Sequence, residues 1–174
     1  MRMPTLYQFF RHQLNHGFAA RGLTEPATVD YVSDVLTRFA QTRALYAMTD
    51  AHGRPLEYVV DFLSASRDDE RYRATRARGR SILRHLGEYT LFMSGLFRER
   101  LTARGELDYY LAQGATAYGH CADGELHPGR RHLFQRLHDN FVRIADTLDD
   151  MRRARFPLRV PATAENMVAA FWRV

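Results

Sequence analysis

The chain has 174 residues, with a hydrophobic fraction of 45%, a charged fraction of 26% and a net charge of +5. These values are typical of a single globular domain over residues 1–174, and they exclude a chain dominated by disorder. No apolar run reaches the roughly 18 residues of a membrane span, and the first apolar stretch is too short for a signal peptide. The single cysteine, Cys121, cannot form an internal disulfide. We therefore expect a cytoplasmic, bacterial protein without membrane contact.

Apolar residues recur at the spacing of amphipathic helices along every long segment. In chain order the predicted helices cover residues 4–20, 25–45, 56–63, 67–101, 107–121, 133–151 and 164–172. Thr24 and Ser66 are the predicted N-caps of the second and fourth helices, because hydroxyl oxygens accept from the free N–H groups of a first turn. Residues 122–129 are predicted as a loop and residues 156–161 as an extended connector. No useful stretch alternates at period two, which favours an all-α, single-domain bundle of six or seven helices.

A ridge of arginines opens the fourth predicted helix. The stretch 71–84 contains six arginines and no acid, and four of them fall on one side of a helix: Arg73, Arg76, Arg80 and Arg84. Guanidinium groups bind phosphate, carboxylate or an acidic partner helix. The nearest acidic surface in the sequence is the line of Asp139, Asp146 and Asp150 on the sixth predicted helix. Salt bridges with that line are the alternative to a bound ligand.

Two predicted helices contain interior glycines. Gly87 and Gly95 lie in residues 80–97, and Gly114 lies in residues 107–121. An interior glycine destabilises a helix by about 1 kcal/mol relative to alanine. We expect this loss to be offset by close helix–helix approach at Gly95 and Gly114, or by room for a ligand.

The same two segments share a wider pattern. Gly87 and Gly95 enclose the pair Leu91-Phe92, and Tyr109-Tyr110 is followed by the spacing of Gly114 and Tyr118. This pattern, over about the middle third of the chain, resembles a bacterial family of small all-helical proteins with no assigned function. The resemblance implies an all-helical fold and no particular activity.

Two groups of residues contain potential metal ligands. The segment 120–127 offers His120, Asp123 and His127 as a candidate zinc site, although its spacing matches no zinc motif and a second cysteine is missing. His85 and Glu88 stand one helical turn apart, but the order of a di-iron Glu-x-x-His pair is reversed and no second pair exists. A solvated loop and a core-boundary histidine are the alternatives, and we predict no cofactor.

The first functional hypothesis is a non-enzymatic helical interaction or regulatory module. The sequence has no P-loop, no Gly-x-Gly-x-x-Gly and no Gly-x-Ser-x-Gly motif, and 12% of its residues are aromatic. A protein partner or self-association as a homo-oligomer would use the last predicted helix, which ends in Phe171 and Trp172.

Two further hypotheses stay open at this point. One is a small-ligand or cofactor-binding protein, enzyme or not, with a pocket between residues 80–97 and 107–121. Its candidate ligand-binding residues are Arg80, Arg84, His85, Glu88, Tyr89, Tyr110, Tyr118 and His120. The other is nucleic-acid binding by the arginine ridge, which the net charge permits but which no helix-turn-helix signature supports.

Overall fold

The computed structural model describes residues 5–40 and 76–155, without the side chains of residues 76–78 and 155. The helices of these residues, numbered here α1 to α7, are Leu6–Ala20, Pro26–Phe39, Arg76–Leu96, Arg98–Ala103, Leu107–Gly124, Pro128–Asp139 and Phe141–Arg155. The described residues contain no strand, so the predicted all-α fold is confirmed.

Local sequence signals begin several of the helices. At α1 the Thr5 hydroxyl accepts from the Gln8 backbone N–H at 3.2 Å, and the Gln8 side chain accepts from the Thr5 N–H at 2.9 Å. This reciprocal capping satisfies two N–H groups that have no partner within the helix. Pro26 and Pro128 occupy the first positions of α2 and α6, where a missing N–H is tolerated. These signals fix where α1, α2 and α6 begin.

The long helix α3 forms the centre of the bundle. It packs along α5 on one side and α7 on another, while α1 packs on α2 and α7, and α6 packs on α5. The largest fully buried side chains are Tyr118, Phe10, Phe18, Phe39, Phe141, Leu14, Leu36, Ile82, Leu86, Leu91 and Leu96. The core therefore follows the apolar stripes that the sequence shows.

Close approach at two glycines lets these helices meet. A Cβ at Gly95 would lie 2.6 Å from the Cβ of Leu148 on α7, and a Cβ at Gly114 would overlap Phe141 and Thr90. The expectation of close packing at Gly95 and Gly114 is confirmed.

The predicted second helix begins one residue later than expected. Glu25, rather than Thr24, occupies the N-cap position, and its side chain makes no capping hydrogen bond. The Glu25 carboxylate instead lies 3.3 Å from Arg136 Nε on α6. A tertiary ion pair has replaced the local cap.

The predicted fourth and sixth helices are each divided in two. The backbone of Phe97 leaves the helical region (φ −117°, ψ 27°) between α3 and α4, and its buried ring lies 5.9 Å from that of Phe92. Asn140 separates α6 from α7: its backbone leaves the helical region (φ −114°, ψ 15°), and its Nδ2 donates to the Arg136 carbonyl at 3.0 Å. The single long helices predicted over 67–101 and 133–151 are wrong.

The predicted loop 122–129 is shorter than expected. Helix α5 continues to Gly124, and α6 begins at Pro128 with His127 as its N-cap. His127 Nδ1 accepts from the backbone N–H of Arg130 at 3.4 Å.

Several predictions fall outside the described residues. They are the end of the second helix near Leu45, the helices 56–63 and 164–172, the cap Ser66, the connector 156–161 and the ridge residue Arg73. Within the described part, none of the helices combines the length and the apolar character that a membrane crossing requires.

Candidate functional site

A buried carboxylate lies in the middle of α3. The Glu88 side chain is 3% exposed. Arg38 of α2 binds it with two nitrogens, Nη2 to Oε1 at 3.0 Å and Nη1 to Oε2 at 3.2 Å. Tyr31 donates its hydroxyl to Oε1 at 2.7 Å, and Arg84 donates from Nε at 3.0 Å. We call Glu88, Arg38, Tyr31 and Arg84 the Glu88 cluster.

The charge of Glu88 is stabilised by its partners. Burial by itself would raise the pKa of Glu88, but the hydrogen bonds and charge of Arg38, the Tyr31 hydroxyl and the charge of Arg84 outweigh it, so the pKa is lowered. The Tyr31 phenol has a pKa well above its usual value, because it is buried and lies beside this carboxylate. The cluster is thus an ionised carboxylate with satisfied acceptors.

A second group of buried side chains adjoins the cluster. The Tyr118 ring lies 6.1 Å from Tyr31 and 6.1 Å from Phe134, with no exposed surface. Its hydroxyl makes no hydrogen bond of ordinary geometry, and burial raises the pKa of the Tyr118 phenol well above its usual value. Burial likewise raises the pKa of the Cys121 thiol to about 12. Both groups are protonated near neutral pH.

Tyr118, Cys121 and Phe134 form a layer that we call the wall. An open groove of about 420 Å³ lies on its outer side, where Cys121 and Phe134 belong to the lining. Its lining comes from the start of α3, the end of α5, the short connection to α6 and the first turns of α6. The lining residues are Arg80, Ser81, Arg84, Cys121, Gly124, Glu125, Leu126, His127, Arg130 and Phe134. We call it the arginine groove.

The arginine groove has an excess of positive charge. Three arginines and one carboxylate line it, which leaves a net charge of +2 with histidine neutral. The carboxylate, Glu125, is already held: its Oε2 lies 3.2 Å from Arg130 Nε, and its Oε1 accepts from the His127 N–H at 3.0 Å. That backbone donor, together with the Arg130 charge, lowers the pKa of Glu125. Glu125 therefore stays ionised and fixes one side of the groove.

Arg80 and Arg84 have different surroundings in the groove. Arg80 is exposed and makes no hydrogen bond or ion pair with the described residues, and its aliphatic stem passes beside Gly124. Arg84 is half exposed, its Nε faces Glu88, and its guanidinium lies 5.9 Å above the Tyr31 ring centroid. Arg84 thus belongs to both the Glu88 cluster and the arginine groove.

The structure separates the eight predicted ligand-binding residues. Arg80 and Arg84 line the groove, while Glu88 and Tyr118 lie behind its lining. His85 is buried with its ring 5.3 Å from Phe39. Tyr89 and Tyr110 are buried as a pair, with ring centroids 6.3 Å apart. His120 is exposed on α5 and does not line the groove. Two of the eight predicted ligand-binding residues therefore line the groove.

The predicted metal ligands do not form a site. No three histidine, cysteine, aspartate or glutamate side chains come together in ligating positions among the described residues. His120 and Asp123 belong to α5, whereas His127 uses Nδ1 to cap α6. The described residues therefore give the candidate site of His120, Asp123 and His127 no geometric support, since His127 Nδ1 is used in the cap of α6, and the zinc site stays a prediction from the sequence.

The predicted acidic line is divided between two helices, since Asp139 ends α6, and its members on α7 pair with other arginines than the ridge. Asp146 binds Arg98 at 2.6 Å and lies 3.9 Å from Arg21, while Asp150 binds Arg21. Of the ridge, Arg84 contacts a carboxylate, and that carboxylate is Glu88 on its own helix. Within the chain, the predicted pairing of the ridge with the acidic line is wrong for Arg80 and Arg84, and Arg73 and the side chain of Arg76 lie outside the description. Pairing across a dimer stays a prediction.

Several residues of the site could not be identified as site residues from the sequence alone. Tyr31 and Arg38 stand seven residues apart and therefore share one face of α2, a spacing that identifies the face but not its partner. The predicted loop 122–129 contains Glu125, and the predicted helix 133–151 contains Phe134. Arg130 lies between these two predicted elements. Only the folded arrangement places them opposite Arg80 and Arg84.

Comparison with known proteins adds no relative: no protein-family model, no curated protein and no solved structure matches this chain.

Proposed function

We propose that this protein is a binding module for a small anionic molecule, and that the arginine groove is its binding site. The observation that carries the proposal is the convergence of Arg80, Arg84 and Arg130 on one concavity that contains a single, already paired carboxylate. Guanidinium groups recognise carboxylates and phosphates through paired N–H donors.

The size of the groove agrees with this proposal. Ligand sites for small molecules commonly occupy about 300–1,000 Å³ and combine apolar walls with a few polar groups. The arginine groove, at about 420 Å³, has Phe134 and Cys121 in its wall and the arginines at its sides. A flat arginine ridge of the kind that follows a nucleic-acid backbone would not enclose such a volume.

The interaction module has less support within the described residues. Three large apolar side chains are exposed, Tyr109 on α5, Leu126 before α6 and Val142 on α7. Singly exposed apolar residues are normal on protein surfaces. A protein partner, a homo-oligomer and nucleic-acid binding by the ridge stay predictions from the sequence.

Isothermal titration with inorganic phosphate, pyrophosphate and citrate at about 50 mM and about 200 mM salt tests the proposal. We expect binding at the lower salt that weakens at the higher, because screening reduces the attraction of a partly exposed site. Arg80 has no partner among the described residues, and replacing it with glutamine should weaken binding by about tenfold or more, as expected for the loss of one charge-assisted hydrogen bond.

Arg104→Gln is the matched control, since Arg104 is exposed at the end of α4 and does not line the groove. Equal losses in Arg80→Gln and Arg104→Gln would show that the net charge, and not the groove, attracts the anion. Tight, salt-sensitive binding of duplex DNA or RNA without binding of any small anion would replace the proposal with the nucleic-acid hypothesis.

A further inference from the structure

We infer that the ligand of the arginine groove is a phosphate monoester that carries an apolar or aromatic body. This inference rests on the proposed function and goes beyond it by naming the ligand class. It follows from three features of the groove: its uncompensated charge, its donor groups and its apolar wall.

The charge of the groove matches a dianion. The lining holds three arginines against one carboxylate, and that carboxylate, Glu125, offsets Arg130 across a distance of 3.2 Å. Glu88, which is not part of the lining, is bound by two nitrogens of Arg38, whose charge is shared with the exposed Asp34. The remaining attraction comes from Arg80, which has no partner among the described residues, and from Arg84, which is shared with Glu88. A monoester phosphate carries close to two negative charges at neutral pH, whereas a carboxylate, a sulfate ester or a phosphodiester carries one.

The donors of the groove match a phosphoryl group. Arg80 and Arg84 line the groove from α3 and Arg130 lines it from α6, although Arg84 Nε donates to Glu88, and Nε and Nη2 of Arg130 lie 3.2 and 3.3 Å from Glu125. The three terminal oxygens of a phosphate monoester accept from several guanidinium groups at once, and the two oxygens of a carboxylate accept from fewer. Binding from two helices also fixes the direction in which the ester oxygen points.

The volume and wall of the groove provide space for the rest of the ligand. Phe134 and Cys121 form an apolar part of the lining, and Leu126 stands at the rim with 86% of its surface exposed. Inorganic phosphate would leave this surface in water. A body that covers Leu126 removes apolar surface from water and adds affinity that the charge alone does not supply.

Isothermal titration at about pH 7.5, with phenyl phosphate, phenyl sulfate and inorganic phosphate, tests the inference. Phenyl phosphate is mostly a dianion there, since its second pKa is about 6, and phenyl sulfate is a monoanion of the same shape. We expect phenyl phosphate to bind most tightly, with phenyl sulfate and inorganic phosphate each weaker by about tenfold.

Two variants separate the charge from the body. Arg80→Gln should reduce the preference for phenyl phosphate over phenyl sulfate to about threefold or less. Leu126→Ser should weaken phenyl phosphate by about threefold and leave inorganic phosphate unchanged, because a side chain at the rim contacts only the body. Arg104→Gln should change neither preference, and circular dichroism checks that each variant keeps its helices.

The outcomes distinguish the two proposals. Equal affinities for phenyl phosphate and phenyl sulfate would overturn the monoester while leaving an anion site in place. Absence of binding by all three anions would overturn the proposed function itself. A phosphotyrosine peptide that binds at least about tenfold more tightly than phenyl phosphate would overturn a small-molecule ligand in favour of a phosphorylated protein.

Discussion

The Glu88 cluster and the arginine groove use the same residue type in two opposite ways. In the cluster, both terminal nitrogens of Arg38 donate hydrogen bonds to Glu88, whose side chain is 3% exposed. In the groove, Arg80 is exposed and has no partner among the described residues. Arg84 stands between them, with Nε on Glu88 and its half-exposed side chain lining the groove.

The difference lies in burial and pairing rather than in the arginine itself. A buried charge must be matched closely, since removing one partner leaves an uncompensated ion. An exposed charge is hydrated and can exchange water for a ligand. We therefore propose that the Glu88 cluster stabilises the fold and that the arginine groove binds a ligand. The following predictions test this difference between the two regions.

The largest expected effect concerns Cys121, which lies in the wall between the two regions. A pKa raised to about 12 from 9.0 leaves about a thousandfold fewer thiolates than a free thiol has at about pH 8. The remaining thiolate is more nucleophilic, so iodoacetamide should modify the folded protein at least about tenfold more slowly than the protein unfolded in urea, as followed by mass spectrometry. Comparable rates would mean that the wall opens and that the two regions are not separate.

Replacement of Glu88 tests the structural role of the cluster. Glu88→Gln should lower the free energy of unfolding by about 2 kcal/mol, because Arg38 and Arg84 lose the charge that compensates their own, although both arginines are partly hydrated. Urea denaturation followed by circular dichroism measures it. Asp34→Asn is the matched control, since Asp34 is an exposed partner of the same Arg38, and it should change stability by less than about 1 kcal/mol. Similar values for both variants would contradict the distinction between buried and exposed pairs.

Glycine variants test the packing that holds α5 against its neighbours behind the groove. Gly114→Ala should lower the free energy of unfolding by about 1–3 kcal/mol, because the added methyl group overlaps Phe141 and Thr90. Gly79→Ala is the control within α3, where a Cβ meets nothing within 4 Å among the residues that the structure describes. It should raise stability by up to about 1 kcal/mol through helix propensity. A stabilising Gly114→Ala would show that α5 does not approach so closely.

The pH dependence of stability gives the smallest expected effect. The folded state lowers the pKa of Glu88 below 4.5, so its stabilising contribution is fully present above about pH 4.5 and is lost as the pH falls. The stability difference between wild type and Glu88→Gln should therefore shrink between about pH 6 and about pH 3. Denaturation curves at several pH values measure it, and parallel curves would mean that Glu88 is not ionised in the cluster.

Periodicity in the sequence determined the helical fold and the apolar stripes, since each depends on residues within one helix. The interior glycines Gly95 and Gly114 indicated close approach, although not the side chains of α7 that they meet. The sequence also identified Arg80 and Arg84 as neighbours on one face, and the pair of Arg84 with Glu88 is a contact one turn apart.

Only the tertiary structure decided which helices complete each region. Arg38 meets Glu88 across 50 residues, and Arg130 reaches the groove because α6 folds back along α5. The breaks at Phe97 and Asn140 could not be predicted from the sequence either, because the apolar pattern continues through both residues. At Phe97 the ring packs on Phe92, and at Asn140 the side chain donates a hydrogen bond to the Arg136 carbonyl. The physical reason is that periodicity records which face of a helix is buried, whereas the partner on that face is chosen by the packing of the whole bundle.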